Sequence, residues 1–261
     1  MTEAGLVTPT TWGEREIKGP VHLFRERLLL RAFAQLVPTG RVLDAGCGSG
    51  SLAIELCRLG YEVEAVEQSE EFVNMVGGKI ASYGPEIPLS VQCASVTELP
   101  FDDDSFDGLV CGEVLEHITH ELGGDVTAVA EFHRVLKPGK ACVVSVPLNP
   151  KLWDASDEWA GHVKRYTKEG LISLFVERGF TVESTNTWGF PLGRLYHRLL
   201  FGPWLRKIST VPASAIGGRA DTKAANNRTL VGVVAGLFRF DELFSSSPWG
   251  RGIVLSAVKT S

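Results

Sequence analysis

Between residues 41 and 187, short apolar runs alternate with longer stretches of helical period, and this alternation restricts the fold more than any other feature of the chain. Runs rich in Val, Ile, Leu or Cys cover residues 41–45, 61–66, 89–94, 108–112, 141–147 and 180–187. Apolar at consecutive positions, they suit strands buried on both faces. The stretches 52–59, 70–82, 126–136 and 168–178 carry the helical period. Thr167 stands as an N-cap, and Gly60 and Gly179 sit where helices stop. The pattern predicts an α/β fold, a mainly parallel sheet with helices on both faces. A helical segment precedes it within 1–40, clearest over 22–37, and the apolar run 252–258 predicts a closing strand.

The first strand runs straight into Asp44-Ala45-Gly46-Cys47-Gly48-Ser49-Gly50. Glycine is needed where the backbone turns sharply, or where a ligand comes too close for a Cβ. Open parallel sheets bind their ligands at such strand ends. A dinucleotide fingerprint does not fit, because Ser51 stands where the last glycine of G-x-G-x-x-G belongs, and the lysine of a Walker loop is missing. Asp44 would repel a pyrophosphate and suits a cationic or amine-bearing ligand. Glu67, 23 residues after Asp44, stands where an acid accepts hydrogen bonds from ribose hydroxyls. An adenosine with a positive, phosphate-free tail meets both requirements.

Further motifs follow in order: Leu99-Pro100-Phe101 with Ser105-Phe106-Asp107, then Glu113-Val114-Leu115-Glu116-His117, then Val135-Leu136-Lys137-Pro138-Gly139. Together with the glycine loop they resemble the class I S-adenosylmethionine-dependent methyltransferases, in particular the type 11, ubiquinone–menaquinone-methyltransferase-like branch, over about residues 41–187 plus the last strand. The resemblance implies a Rossmann-like sheet, mostly parallel with its last strand antiparallel. It implies a core over 41–188 that binds S-adenosyl-L-methionine and releases S-adenosyl-L-homocysteine. A helical insertion over 189–251 and a final strand over 252–261 would follow. Asp44, Gly46, Cys47, Gly48 and Gly50 would surround the methionyl end, Glu67 the ribose and Gln68 the adenine. Val96 and Glu113 would complete the site. The family's adenine-contacting acid falls at Ser95, where a hydroxyl offers a neutral hydrogen bond in place of a charged one. Arg27, before the first strand, is the candidate partner of the cofactor's carboxylate.

Methyl transfer from a sulfonium requires an acceptor placed in line, and a hydroxyl or phenol acceptor must also lose its proton. Glu113, Glu116 and His117 follow the fourth strand, and His162 lies in the loop 149–166 after the fifth. Two readings stand. If the first segment is helical, its i, i+3, i+4 spacing puts all three side chains on one face, and with His162 they could ligate a divalent cation. That pattern resembles Hen-type RNA 2′-O-methyltransferases and, in part, ubiquinone-type O-methyltransferases. Alternatively His117 and His162, backed by Glu116, act as a metal-free general base, and this reading is taken first. The expected function is O-methylation of a small-molecule acceptor. RNA 2′-O-methylation, or a non-catalytic cofactor-binding partner subunit, are the alternatives.

The fold's last two strands usually adjoin, yet here about sixty residues intervene. Residues 190–208 interleave Phe190, Tyr196, Phe201 and Trp204 with Arg194, Arg198, Arg206 and Lys207. They read as a cap over a substrate pocket, a homodimer contact, or an amphipathic element at a membrane surface. The weakly patterned stretch 209–228 reads as a mobile lid or as disorder. Of 26 Lys/Arg and 31 Asp/Glu, ten and three fall in residues 190–261, leaving sixteen and twenty-eight before them. The acidic core argues against nucleic acid, while the basic insertion favours a small anionic acceptor. Asp102, Asp103 and Asp104 read as a solvated turn. Five cysteines without a C-x-x-C pair fit neither a disulfide framework nor a zinc ribbon, so a reducing, cytoplasmic compartment is expected. Cys47, Cys93, Cys111 and Cys142 lie in or beside strands and should be buried. The N-terminus lacks the order of a signal peptide. The longest apolar run, 229–238, is half of the ~20 residues a membrane span needs.

Overall fold

A computed structural model describes residues 19–84, 86–209 and 228–260. Its strands are β1 (Arg41–Ala45), β2 (Glu62–Glu67), β3 (Leu89–Cys93), β4 (Phe106–Gly112), β5 (Leu136–Pro147), β6 (Phe180–Trp188) and β7 (Gly252–Lys259). Around them lie α1 (Pro20–Leu36), α2 (Ser51–Arg58), α3 (Glu70–Tyr83), α4 (Gly124–Val135), α5 (Ala155–Ala160), α6 (Lys168–Val176), α7 (Leu192–Tyr196), α8 (Gly202–Ser209) and α9 (Arg228–Leu237). The strands make one sheet in the order β3-β2-β1-β4-β5-β7-β6. Strands β1 to β5 pair in parallel, and β7 runs antiparallel to both β5 and β6. This is the Rossmann-like methyltransferase sheet that the sequence predicts.

Alternate residues of each strand face opposite layers, so the apolar runs are filled from both sides. Leu43, Leu109, Cys142 and Leu255 pack with Phe132 of α4 and Phe175 of α6. Val42, Val110, Val143 and Val254 pack with Phe24, Leu29 and Phe33 of α1, Leu56 of α2 and Val76 of α3. Each fully buried phenylalanine contributes roughly 1.5–3 kcal/mol, which ties the helical layers to the sheet. Thr167 caps α6 as expected, its hydroxyl accepting from Gly170 N–H at 3.0 Å.

Two sequence expectations change, and two segments take a form that the sequence left open. β5 starts at Leu136 rather than Ala141, because Leu136 pairs with Phe106 across a register shift. Cys93 is exposed where burial was expected: it ends the edge strand β3. Cys47, Cys111 and Cys142 are buried. The segment after β4 is not a regular helix but a single 3-10 turn, Leu115–His117. The apolar stretch before β7 divides into α9 and a 3-10 segment, Phe238–Phe244. The 209–228 stretch falls almost wholly outside the described residues, as does the polar start of the chain. No helix among the described residues is long and apolar enough to cross a membrane.

Between β2 and β4, β1 marks the point where the strand order reverses, and the carboxyl ends of these strands open at one edge of the sheet. β7, being antiparallel, starts at that same edge. The β6–β7 connection therefore emerges where a ligand would sit.

Candidate active site

A cavity of about 630 Å³ opens at this edge. Gly46, Cys47 and Gly48 from the β1 loop line it, with Glu67 and Gln68 after β2, Ser95 and Val96 after β3, and Glu113 after β4. Gly46 has φ +81°, and a Cβ there would lie 2.5 Å from Val114 Cγ2, so the glycine is required both by conformation and by space. Gly50 does not line the cavity. It holds a left-handed N-cap position at α2, where a Cβ would meet Val76 at 2.8 Å. Glu67 is tied into the loop, accepting from Gly48 N–H at 2.9 Å and Ser69 N–H at 3.0 Å. Ser95 Oγ lies 2.8 Å from Thr97 Oγ1, and Thr97 also lines the wall.

Asp44 sits beneath the loop rather than in the wall. Its Oδ2 is buried without a hydrogen-bond partner, and burial, with the nearby charges of Glu26 and Glu67, pushes its pKa up to about 8. Arg27 is exposed and outside the cavity lining. Two residues along a helix is about 200° of rotation, so Arg25 takes the inward face instead. Its Nη1 lies 3.4 Å from Glu113 Oε2, and its Nη2 donates to His22 Nδ1 at 3.2 Å. Glu113 also accepts from Ser145 Oγ at 3.0 Å, and holds a left-handed φ of +59°. With that φ, and with only a 3-10 turn from Leu115 on, Glu113 does not share one helical face with Glu116 and His117.

The histidines do converge. His162 Nδ1 donates to Asp157 Oδ1 at 2.8 Å, and His117 Nδ1 donates to Gly161 O at 3.1 Å. With Nδ1 so engaged, either ring in its neutral form presents Nε2 as a lone pair. The rings meet edge to face with centroids 4.9 Å apart, and both line the cavity. His117 is pulled below its ordinary pKa by partial desolvation in the wall and by the neighbouring His162. Glu116 is fully buried behind them, its Oε1 3.8 Å from His162 Nε2, and neither carboxyl oxygen has a hydrogen-bond partner. Burial, reinforced by the charge of Glu113, raises its pKa well above the usual carboxylate range. One ligand atom from each of Glu116, His117 and His162 falls within 4.8 Å of the others.

Asp157 is the buried hub of this wall. Against burial, which would raise its pKa, hydrogen bonds from His162 and Arg165 hold it at about 2. The insertion contributes Gly193, Tyr196, His197, Phe201, Phe238 and Arg251 to the cavity. Among its other described cations, Arg194, Arg198, Arg206, Lys207 and Arg239 do not line it.

Residues 43–144 match the family model described as "Methyltransferase domain". Over these residues the chain is a methyltransferase domain of the class I S-adenosylmethionine-dependent type. Among similar methyltransferases, the ubiquinone biosynthesis O-methyltransferase of Xanthomonas axonopodis pv. citri is 34% identical over 131 residues, 49% of this chain and 52% of that protein. The chain thus spans about half the length of the curated relatives it matches. A geranyl diphosphate C-methyltransferase structure from Streptomyces coelicolor A3(2) superposes with a TM-score of 0.63 at 13% identity, covering 98% of this chain and 85% of that one. The cyclase SpnF superposes equally well, TM-score 0.63 at 20% identity, covering 90% and 80%. At such identities the likeness is one of fold alone.

The methyltransferase cofactor fits the residues present. A buried carboxyl with one unpartnered oxygen, Asp44, lies under a loop whose Gly48 has open space where a Cβ would be, next to Glu67. Sequence reasoning missed Arg25 as the inward cation, since the helical phase of α1 was not tracked. Asp157 was legible only as one position of the loop 149–166. A polar residue followed five positions later by a histidine carries no recognisable spacing, so nothing marked the pair.

Proposed function

We infer that the protein methylates a hydroxyl or phenol oxygen of a small molecule, with His162 taking the acceptor's proton. The observation that carries this reading is the buried Asp157–His162 pair, 2.8 Å apart, with Nε2 left as a lone pair at the wall of the cofactor cavity. When bound, S-adenosyl-L-methionine supplies a methyl carbon made electrophilic by its sulfonium. Glu67 holds the ribose hydroxyls, Gln68 and Ser95–Val96 flank the adenine, and Asp44 faces the cationic end. Arg25 replaces Arg27 as the partner of the carboxylate. His162 accepts the acceptor's proton at Nε2, and the ionised Asp157 stabilises the resulting imidazolium. His117 stays neutral beside it. A second imidazolium in contact with the first is thereby avoided.

His162→Ala should lower kcat by about 10²–10³-fold while leaving S-adenosyl-L-homocysteine affinity unchanged. Asp157→Asn should lower it comparably, with a pH profile displaced from that of the parent. Full turnover in both variants sinks the base assignment.

A divalent metal is the second reading, favoured by the orphaned oxygens of Glu116 beside two histidine nitrogens. The Nδ1 hydrogen bonds to Asp157 and Gly161 O are of the kind that orient metal-bound imidazoles. Metal analysis of the purified protein, with turnover before and after exhaustive chelation, decides between the two. The metal-free reading expects no change. The five free cysteines accord with a reducing compartment such as the cytoplasm.

A further inference from the structure

The cavity wall contributed by β7 carries a cation that the scheme above does not use. Arg251 immediately precedes β7, which lies three strand positions from β1, roughly 14 Å at the usual strand spacing. Its backbone is fixed, the N–H donating to Trp188 O at 2.8 Å and the carbonyl accepting from Leu148 N–H at 2.8 Å. Its guanidinium is far less committed. The side chain is 14% exposed, lines the cavity, and has Asp154 as its counter-charge, Nη2 to Oδ2 at 3.5 Å. A guanidinium offers five N–H donors, so most of these have no partner among the described residues.

The neighbouring acids are already occupied. Asp154 Oδ1 accepts from Ser156 N–H at 2.8 Å and Oγ–H at 2.6 Å, and its Oδ2 also faces His197 Nε2 at 3.7 Å. Asp157 serves His162, Arg165 and the N–H of Asp154. Arg165, buried in the same wall, commits Nε to Asp157 and Nη1 to the carbonyls of Leu148 and Arg251. Two guanidiniums therefore stand together. Burial, and then the charge of Arg165, lowers Arg251 to about 10. Next to them the wall turns aromatic, with Trp159, Tyr196 and Phe201.

We propose that Arg251, supported by Arg165, is a carboxylate subsite for the methyl acceptor, whose remaining body is apolar and packs on Trp159, Tyr196 and Phe201. The proposal rests on the oxygen-methylation reading and narrows it: the acceptor is a hydroxylated carboxylic acid, its hydroxyl at His162 and its carboxylate at Arg251. A single negative charge matches a guanidinium whose counter-charge, Asp154, engages few of its five donors. A phosphate dianion would meet the carboxylate of Asp154 in the same place.

The test is titration calorimetry on the whole chain with S-adenosyl-L-homocysteine present. The probes are 3-hydroxybenzoate, 4-hydroxycinnamate and 3-hydroxyoctanoate, each against its own primary amide, with 3-hydroxyphenyl phosphate alongside. At least one acid should bind about tenfold or more tightly than its amide. Arg251→Gln should abolish that preference and Arg251→Lys retain part of it, both keeping the parent's affinity for S-adenosyl-L-homocysteine. The subsite is overturned if no acid outbinds its amide, if the preference survives in Arg251→Gln, or if the phosphate probe outbinds every acid. Binding is read without turnover, so the two readings fail separately. An acid held through Arg251 but never methylated supports the subsite and counts against oxygen methylation. Amides bound and methylated as readily as acids do the reverse.

Discussion

Asp157 accepts hydrogen bonds from His162 and Arg165 on one oxygen and from the Asp154 N–H on the other, so one buried carboxylate orients the base, anchors a guanidinium and closes the capping box of α5. Asp44 is its opposite, a buried carboxyl with an unmatched oxygen and a pKa raised from 3.8 to about 8. A carboxyl raised in the folded state binds its proton more tightly there than in the unfolded chain. The fold therefore loses stability as pH climbs from about 4 to about 8, and the loss levels off above that window. Asp44→Asn should raise the Tm of the cofactor-free protein at pH 8 and leave it nearly unchanged at pH 4. It should also weaken cofactor binding. Equal melting temperatures of parent and variant at pH 8 would contradict the raised pKa. At this scale the sequence spoke where spacing is local: Gly46, Gly48, Glu67 and His162 were all legible as candidates. Arg251 was not, because its partners are brought to it by the sheet, with Arg165 86 positions away in the chain.

Among the elements, the β1 loop and the turn after β4 do most to shape the site, and they interlock where Gly46 meets Val114. Gly46→Ala adds a Cβ at φ +81° and 2.5 Å from Val114 Cγ2. It should destabilise the fold by about 1–3 kcal/mol and weaken S-adenosyl-L-homocysteine binding together with it. Thr167→Ala removes an N-cap on α6, whose Phe175 packs into the opposite layer. It should cost about 1 kcal/mol with cofactor affinity intact. Thermal melts and calorimetry on both variants check the contrast. The strand runs and α6 were legible because period and caps are local signals. Whether the segment from Glu113 to His117 is helical was left open, since i, i+3, i+4 spacing does not reveal that Glu113 takes a positive φ.

Across the whole molecule, an acidic methyltransferase core meets a basic insertion, yet among the described residues most of the insertion's cations do not line the cavity. Sequence arithmetic located the charge and could not orient it, because orientation depends on which helix faces the packing of the insertion buries. The cofactor half should govern global stability. At a concentration of 100 times its Kd, S-adenosyl-L-homocysteine should add about 2.7 kcal/mol, or roughly 5–10 °C in Tm for a chain of this size. Asp44→Asn should show a smaller rise at the same ligand concentration. A rise in Asp44→Asn equal to the parent's would separate that residue from the ligand.

The antiparallel β7 has one more consequence. Since β6 ends and β7 begins at the rim of the cavity, any lengthening of their connection is delivered to the chamber, while the hydrogen-bonded frame beneath it is left untouched. Under the proposed function, what the enzyme modifies is set by a graft, and how it carries the methyl group is inherited with the sheet. Exchanging residues 189–251 between relatives is then a way to move acceptor preference from one scaffold to another.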